Sequence, residues 1–399
     1  MKEILFLAHR IPYPPNKGDK IRSFHLLKYL SESYRVHLGA FVDDPDDWRY
    51  VSEVEKFCGE TRLLPLQPGR SKLKSLKGLA TRLPLTVPYY ADTRMGTWVD
   101  GILNERPIHA ALVFSSAMAQ YVADYDSLPR IIDFVDVDSD KWRQYAARKN
   151  WPMSWIYRRE ADCLVRYERK IANAFSRSAF VSENEAALFR SLAPEANDRI
   201  LSIENGVDTA YFADRADYVN PYSPDELVMV FTGAMDYWAN VDAVTWFANE
   251  IFPEIRRQLG SARFYIVGAR PTESVRTLAQ TEGVKVTGAV EDVRPFLKHA
   301  RCVVTPLRIA RGVQNKVLEA MAMGKSILSS EAAVEGIDVV DRLDLIVPKT
   351  PGDWVELGLN VLGADDFLPR ESEKNRRFIM QRYGWEMSLH RLGTLLDSL

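Results

Sequence analysis

In the stretch ARGVQNKVLEAMAMGKSIL (residues 310–328), Gly312 stands directly before Val317, Leu318, Met321 and Ala322, which recur at i, i+1, i+4 and i+5. That spacing makes one apolar face of a helix, and Gly324 suits its end. A helix beginning near Val313 aims unpaired backbone N–H groups and its positive dipole end at whatever sits above Gly312, and phosphate is the usual occupant of such a place. Lys316 would add a point charge there, and Glu319, about one turn further on, would accept hydrogen bonds from sugar hydroxyls. A helix that merely caps itself explains the same spacing.

The second chemically suggestive stretch is RIIDFVDVDSDKW. Asp133, Asp136, Asp138 and Asp140, with Asp124 upstream, are too many carboxylates for one core. Asp136 and Asp138 fall where a strand leaves its sheet, the end at which α/β sites form. A carboxylate there would orient or deprotonate an attacking hydroxyl. The alternative is a helix cap by Asp138 or Ser139, and to a lesser degree by Asp136. The cluster also has the chemistry for Mg2+, but as a metal signal it is weak. The six histidines are not spaced as ligand pairs; His9, ending the first strand, is more simply structural than a cleft residue. Arg10, Lys17, Lys20 and Arg22 read as solvated loop charges, one of which would bind phosphate if the loop faces a ligand.

The elements that must position these groups alternate. Short apolar runs at Ile4–Ala8, Val36–Phe41, Ala110–Phe114, Arg130–Phe134 and Ser178–Val181 are each followed by a loop or a helical pattern, as in parallel βα units. A second series runs through Val228–Thr232, Arg263–Val267, Val284–Thr287, Cys302–Thr305, Ser326–Ser329 and Leu343–Val347. The expected fold class is therefore α/β with two doubly wound, Rossmann-like domains in series. The turn at Asn205-Gly206 sets the expected boundaries: 1–206, 207–377, and an amphipathic helical tail 378–399 crossing back to the first domain.

Composition limits the function classes. The 399 residues are 46% hydrophobic and 27% charged, which fits a globular protein with sizeable cores. The net charge of −2 divides into 30 basic against 26 acidic residues over 1–200, and 22 against 28 over the remainder. A strongly basic nucleic-acid binder is excluded, and a local basic patch is allowed. Cys58, Cys163 and Cys302 are odd in number and far apart, so neither a disulfide framework nor a zinc site is indicated, and a reducing cytoplasm is the simplest location. No stretch approaches the ~18 apolar residues of a spanning helix. Two segments have interfacial composition: Arg70, Lys72, Lys74, Lys77 and Arg82 within GRSKLKSLKGLATRL, and residues 141–170 with nine basic residues, three acidic ones and six aromatics. Solvated helix faces explain the charges as well; the aromatics point to a membrane surface, a lipid acceptor or a partner.

Several motifs together resemble glycosyltransferase family 4. NKVLEAMAMGKSIL is similar to the family's E-A-M-A-x-G-x-P-V segment, PYPPNKGDKIRSFHLLKYL to its first βα loop, IENGVD to its P-N-G-V-D linker, FTGAMDYWANVDAVTWF to the start of its second domain and YGWE to its S-W-E close. The likeness spans essentially the whole chain. It is nearest a subgroup of sugar transferases associated with bacterial exopolysaccharide and exosortase-type (PEP-CTERM) clusters. The resemblance implies the GT-B fold, with two domains facing a cleft, and hexosyl transfer from a nucleotide-diphosphate sugar to a glycan or lipid-linked acceptor. It implies retention, no metal and no cofactor, since the D-x-D metal motif belongs to a different fold.

On the residues, the resemblance gives Glu319 the ribose, and Gly312, Val313, Gln314, Asn315 and Lys316 the diphosphate. Gly18 and Gly233 border the donor, and Arg308 or Arg311 adds charge that the missing basic pair after Gly233 does not supply. Arg311 stands where the family carries a second Glu, so donor choice is left open. Asp136 takes the approximate place of a histidine near the reacting carbon, with Asp138 beside it, and Asn240 reads as a helix cap. The implied location is the cytoplasm, with peripheral contact at the inner membrane face. The rivals are a non-catalytic nucleotide-sugar-binding or scaffold subunit, and an epimerase on the same architecture.

Overall fold

A computed structural model describes residues 1–15, 18–76, 78, 81, 83–147, 149–310, 314–335, 337, 345–363 and 372–399. The chain divides into two units: Met1–Glu204 with Leu389–Leu399, and Asn205–Ser388.

The first unit is built on seven strands: β1 (Glu3–Ala8), β2 (Arg35–Val42), β3 (Glu60–Pro65), β4 (Ile108–Phe114), β5 (Arg130–Val135), β6 (Arg177–Phe180) and β7 (Ile200–Ser202). They form one parallel sheet in the order β3-β2-β1-β4-β5-β6-β7. Strand β1 is buried from Ile4 onward, as expected of a parallel strand covered by helices on both faces. Leu5, Leu7, Val113 and Ile132 sit in one core with Met95, Val99, Phe180 and Phe189.

The second unit carries β8 (Leu227–Thr232), β9 (Ala262–Val267), β10 (Val284–Gly288), β11 (Cys302–Thr305), β12 (Ile327–Ser329) and β13 (Leu345–Ile346). Their order is β10-β9-β8-β11-β12-β13, again with parallel pairing. Its core joins Met229, Phe231, Phe247, Phe264, Val303 and Leu318.

Each sheet reverses its winding direction once, between β1 and β4 and between β8 and β11. In doubly wound sheets, ligands bind beyond the carboxyl ends of the strands at such a switch point. The switch points thus single out the loops after β1 and β4 in one unit and after β8 and β11 in the other.

The expected tail helix is two helices, Ser372–Arg382 and Trp385–Asp397, interrupted at Tyr383-Gly384. Gly206 packs against Trp385 so closely that a Cβ there would lie 2.6 Å from the Trp385 Cα. The end of the second helix is tied to the first unit: Tyr34 donates to Asp397 at 2.5 Å, and Arg391 donates to the Ser202 carbonyl at 3.2 Å. Among the described residues no helix is long and apolar enough to cross a membrane.

Candidate active site

In the second unit, β8 ends at Gly233, whose φ of +155° and lack of a side chain are both needed. A Cβ there would lie 2.7 Å from the Asn240 amide nitrogen and 3.3 Å from the Lys316 ammonium. Asn240 is in the helix Trp238–Trp246. It is a bridge and not the helix cap expected from the sequence: its amide donates to the Ala234 carbonyl at 2.9 Å, and its oxygen accepts from Lys316 Nζ at 2.6 Å. The same ammonium lies 4.3 Å from the centre of the Phe231 ring, a cation–π contact.

Lys316 and Glu319 belong to the first turn and a half of the helix Asn315–Ala322, which starts two residues later than the spacing predicts. Gln314 is its cap residue; its side chain makes no cap bond, while its carbonyl accepts from Val317 N–H at 2.9 Å. Asn315 Oδ1 is buried without a hydrogen-bond partner among the described residues. Gly324 ends the helix at φ +64°, as its type suggests, and Lys325 N–H returns to the Ala320 carbonyl at 3.0 Å. Burial pushes Lys316 down to about 7, with the Glu319 charge opposing the shift. Burial likewise pushes Glu319 up to about 7, with Lys316 opposing. Arg311, Gly312 and Val313 lie outside the described residues.

Arg308 does not join Lys316. Two of its guanidinium nitrogens donate to Asp242, Nε at 2.9 Å, and this hydrogen bonding raises it above its ordinary value. Asp242 stands two residues from Asn240, on the opposite side of the helix. The sequence reading also missed an aromatic platform: Arg294 is paired with Asp292 at 2.7 Å and stacks 3.8 Å over the Tyr211 ring. Burial raises the Tyr211 phenol, and Glu319 is among the charges that add to the effect, so this ring lies within electrostatic range of the helix start.

In the first unit, Asp136 is presented by a strained turn. Val135 has φ +70°, rare for a β-branched residue, and Asp136 N–H donates to the Phe134 carbonyl across it at 3.0 Å. Such a conformation costs about 1–3 kcal/mol and persists only when the surroundings impose it. Here Asp133 imposes it, accepting from Val135 N–H at 3.0 Å and from Arg22 Nε at 2.8 Å. Burial raises the Asp133 carboxyl while Arg22 opposes the shift.

Asp136 and Asp138 share Lys141, at 2.6 and 3.4 Å. Burial opposes a charged Lys141, but the two carboxylates hold it above its usual range. Burial raises Asp138. Asp138 opens the helix Asp138–Ala147, while Ser139, considered as its cap, turns its hydroxyl to Glu168 Oε2 at 2.6 Å. Burial pushes Glu168 up to about 8, with Ser139 opposing.

Lys20 and Arg22 are not solvated loop charges. Each is 1% exposed, Lys20 bonded to Asp47 and Arg22 to Asp133. His9 lies 3.4 Å from Asp19, stacks on Phe114 at 5.7 Å and meets Tyr90 edge-on at 5.8 Å. Gly18 opens the helix Gly18–Ser33, and no atom lies within 4 Å of where its Cβ would be. Packing does not demand that glycine, which leaves an open backbone as its use. Lys17 lies outside the described residues. Among the described residues no three His, Cys, Asp or Glu side chains are grouped to hold a metal ion.

Residues 226–362 match the family model described as "Glycosyl transferases group 1". No curated protein matches the chain. Among solved structures, sucrose-phosphate synthase from Thermosynechococcus elongatus is 15% identical with a TM-score of 0.72, covering 100% of this chain and 99% of that one. HepE from Anabaena, solved in complex with UDP-glucose, is 15% identical with a TM-score of 0.65, covering 100% of both chains. WaaG, a glycosyltransferase involved in lipopolysaccharide biosynthesis, is 12% identical with a TM-score of 0.65, covering 99% of this chain and 100% of that one. The chain thus has the two-unit α/β fold of GT-B glycosyltransferases, and its second unit carries a match to the glycosyl transferases group 1 domain.

Proposed function

We propose that the protein transfers a sugar, of hexosyl type, from a nucleotide-diphosphate sugar to an acceptor hydroxyl, with retention and without a metal or cofactor. The observation that carries this reading is the half-buried Lys316, held by a neutral amide beside Gly233 in the first turn of the helix Asn315–Ala322. Its hydrogen-bond partner is a neutral amide and the carboxylate acting on it is Glu319, so a diphosphate would add charge-assisted hydrogen bonds. Gly233, Gln314, Asn315 and Lys316 surround that diphosphate, together with Arg311, Gly312 and Val313 as the family resemblance implies, and Glu319 takes the ribose. The relatives solved with UDP and UDP-glucose support a nucleotide-sugar ligand for this fold.

In the reaction the acceptor oxygen bonds to the anomeric carbon as the bond from that carbon to the diphosphate oxygen breaks. The negative charge that grows on the leaving diphosphate is stabilised by Lys316 and the helix N–H groups. Asp136, aimed by the Val135 turn and partnered by Lys141, orients the acceptor, with Asp138 beside it.

The acceptor has an apolar part in this reading, a lipid-linked or growing exopolysaccharide glycan. A pocket of about 590 Å3 at the carboxyl ends of β2 and β3 is lined by Trp48, Pro45, Pro65, Leu66 and Pro68, with Asp43 and Arg70 at hand. Trp151 and Trp155 are 82% and 58% exposed, and Leu73 and Leu76 are 70% and 54% exposed, among basic residues. Arg159 donates to the carbonyls of Gly78 and Leu83, which joins these two segments. This face supports a peripheral position at the inner, cytoplasmic membrane surface.

Thermal-shift screening against nucleoside diphosphates and nucleotide sugars tests the donor site, with Glu319→Ala as control. One nucleotide sugar should stabilise the protein selectively, and the control should lose the effect. Turnover of that donor should fall in Asp136→Asn while its binding is kept. Binding without release of nucleoside diphosphate to any acceptor would favour a binding subunit instead.

A further inference from the structure

The outer side of the helix Trp238–Trp246 forms the wall of a groove that the nucleotide site does not use. Its volume is about 670 Å3, the size of a ligand pocket. Trp238, Asp242, Thr245 and Asn249 follow one another at three- and four-residue spacing, with Trp246 four residues on from Asp242 and Glu250 four on from Trp246, so one helical stripe supplies most of the lining. Thr272 and Ser274, on the segment after β9, add hydroxyls. The helix passes directly into a π-helical turn, Phe247–Ile251, a distortion frequent at functional sites.

The lining has a definite chemistry. Trp246 is fixed by the edge of Trp354 at 5.8 Å, so one indole is positioned before any ligand arrives. The Thr245 hydroxyl oxygen is buried without a hydrogen-bond partner among the described residues, which is uncommon enough to call for a reason. Asp236 and Asp242 are each paired with an arginine, Arg270 and Arg308, which leaves Glu250 as the carboxylate in excess along this wall. With both arginines already held by carboxylates and Glu250 in excess, the wall offers an anion little attraction, so it is a poor second nucleotide site. Indole faces suit the C–H faces of sugar rings, while carboxylates, an amide and hydroxyls suit sugar hydroxyls.

We infer that this groove binds an uncharged oligosaccharide segment, independently of the nucleotide. The ligand is a glycan held away from the reacting end, as a growing polymer would be held.

Calorimetric titration of the whole protein, with and without UDP, decides the matter. The probes are maltohexaose, cellohexaose and chitohexaose, with oligogalacturonate of equal length as the acidic counterpart. A neutral probe should bind equally well with and without UDP, and the acidic one should bind about tenfold more weakly or not at all. Trp238→Ala should weaken that binding about tenfold, and Thr245→Val and Asn249→Ala measurably. UDP affinity, where present, should be unchanged in all three, which also checks their folding. The inference fails if no neutral probe binds at millimolar concentration, if UDP displaces the glycan, if the acidic probe binds as well, or if all three well-folded variants bind like the parent. Because it does not depend on donor binding, it stands or falls apart from the transferase reading.

Discussion

The Lys316 ammonium meets the Asn240 side-chain oxygen at 2.6 Å, so this half-buried cation of the second unit is hydrogen-bonded to a neutral amide. A desolvated charge held this way costs stability in the free protein, a cost that Glu319 offsets in part and a bound diphosphate would offset further. Lys316→Met should therefore leave the melting temperature unchanged or slightly raised. The same change should weaken nucleoside diphosphate binding by about 3 kcal/mol, roughly a hundredfold. Parallel calorimetry and thermal unfolding check both halves.

The Lys316–Glu319 pair makes stability depend on pH in two opposite senses. Glu319 rises from 4.5 to about 7 on folding, so the folded state holds a proton the unfolded state releases, and stability falls as pH climbs through that window. Lys316 drops from 10.5 to about 7, so the unfolded state holds the extra proton above neutrality, and stability rises with pH there. Urea denaturation of the parent minus that of a Lys316→Met, Glu319→Gln double variant should show a minimum near neutral pH. A flat difference curve would remove the case for two buried, neutralised groups.

Glu168 provides a simpler case. Its value rises from 4.5 to about 8, so its contribution is full at low pH and is lost as pH rises through about 8. Glutamine mimics the protonated acid and keeps an oxygen for the Ser139 hydroxyl. Glu168→Gln should match the parent in stability near pH 5 and exceed it above pH 8, read by urea midpoints at the two ends.

Exposed Trp151 and Trp155 have no structural task that their burial would reveal. Replacing both by Ser should leave the melting temperature unchanged and reduce sedimentation with vesicles containing an anionic lipid. Equal sedimentation of parent and variant would assign these rings to another partner.

Much of this architecture could be read in the sequence because parallel strands covered on both faces are nearly continuous apolar runs. β3 escaped notice for the complementary reason: ETRLLP is an edge strand with one fully buried residue, Leu64, and shows no such run. Gly233 and Gly324 were legible because their positions demand glycine. The roles of Lys20, Arg22 and Asn240 were not, since their partners stand 27, 111 and 76 residues away and only folding brings them together. The strained Val135 turn was hidden as well, because nothing in VDVD announces a positive φ. The spacing alone sets the helix start two residues early, because no typical cap residue marks it.

The chain leaves the first unit after Glu204 and returns to it at Leu389. Tyr34, His109 and Ser202, all in the first unit, bind partners in the returning segment. During synthesis these residues emerge long before their partners, which follow the whole of the second unit. Tyr29, which packs against Gly393, waits equally long. Nascent chains therefore carry an incomplete first unit until residues 389–399, with the buried Leu389, Leu392 and Leu396, have been made. A ribosome that stalls anywhere in the second unit releases a protein whose first unit lacks its final piece, a natural substrate for chaperones and proteases.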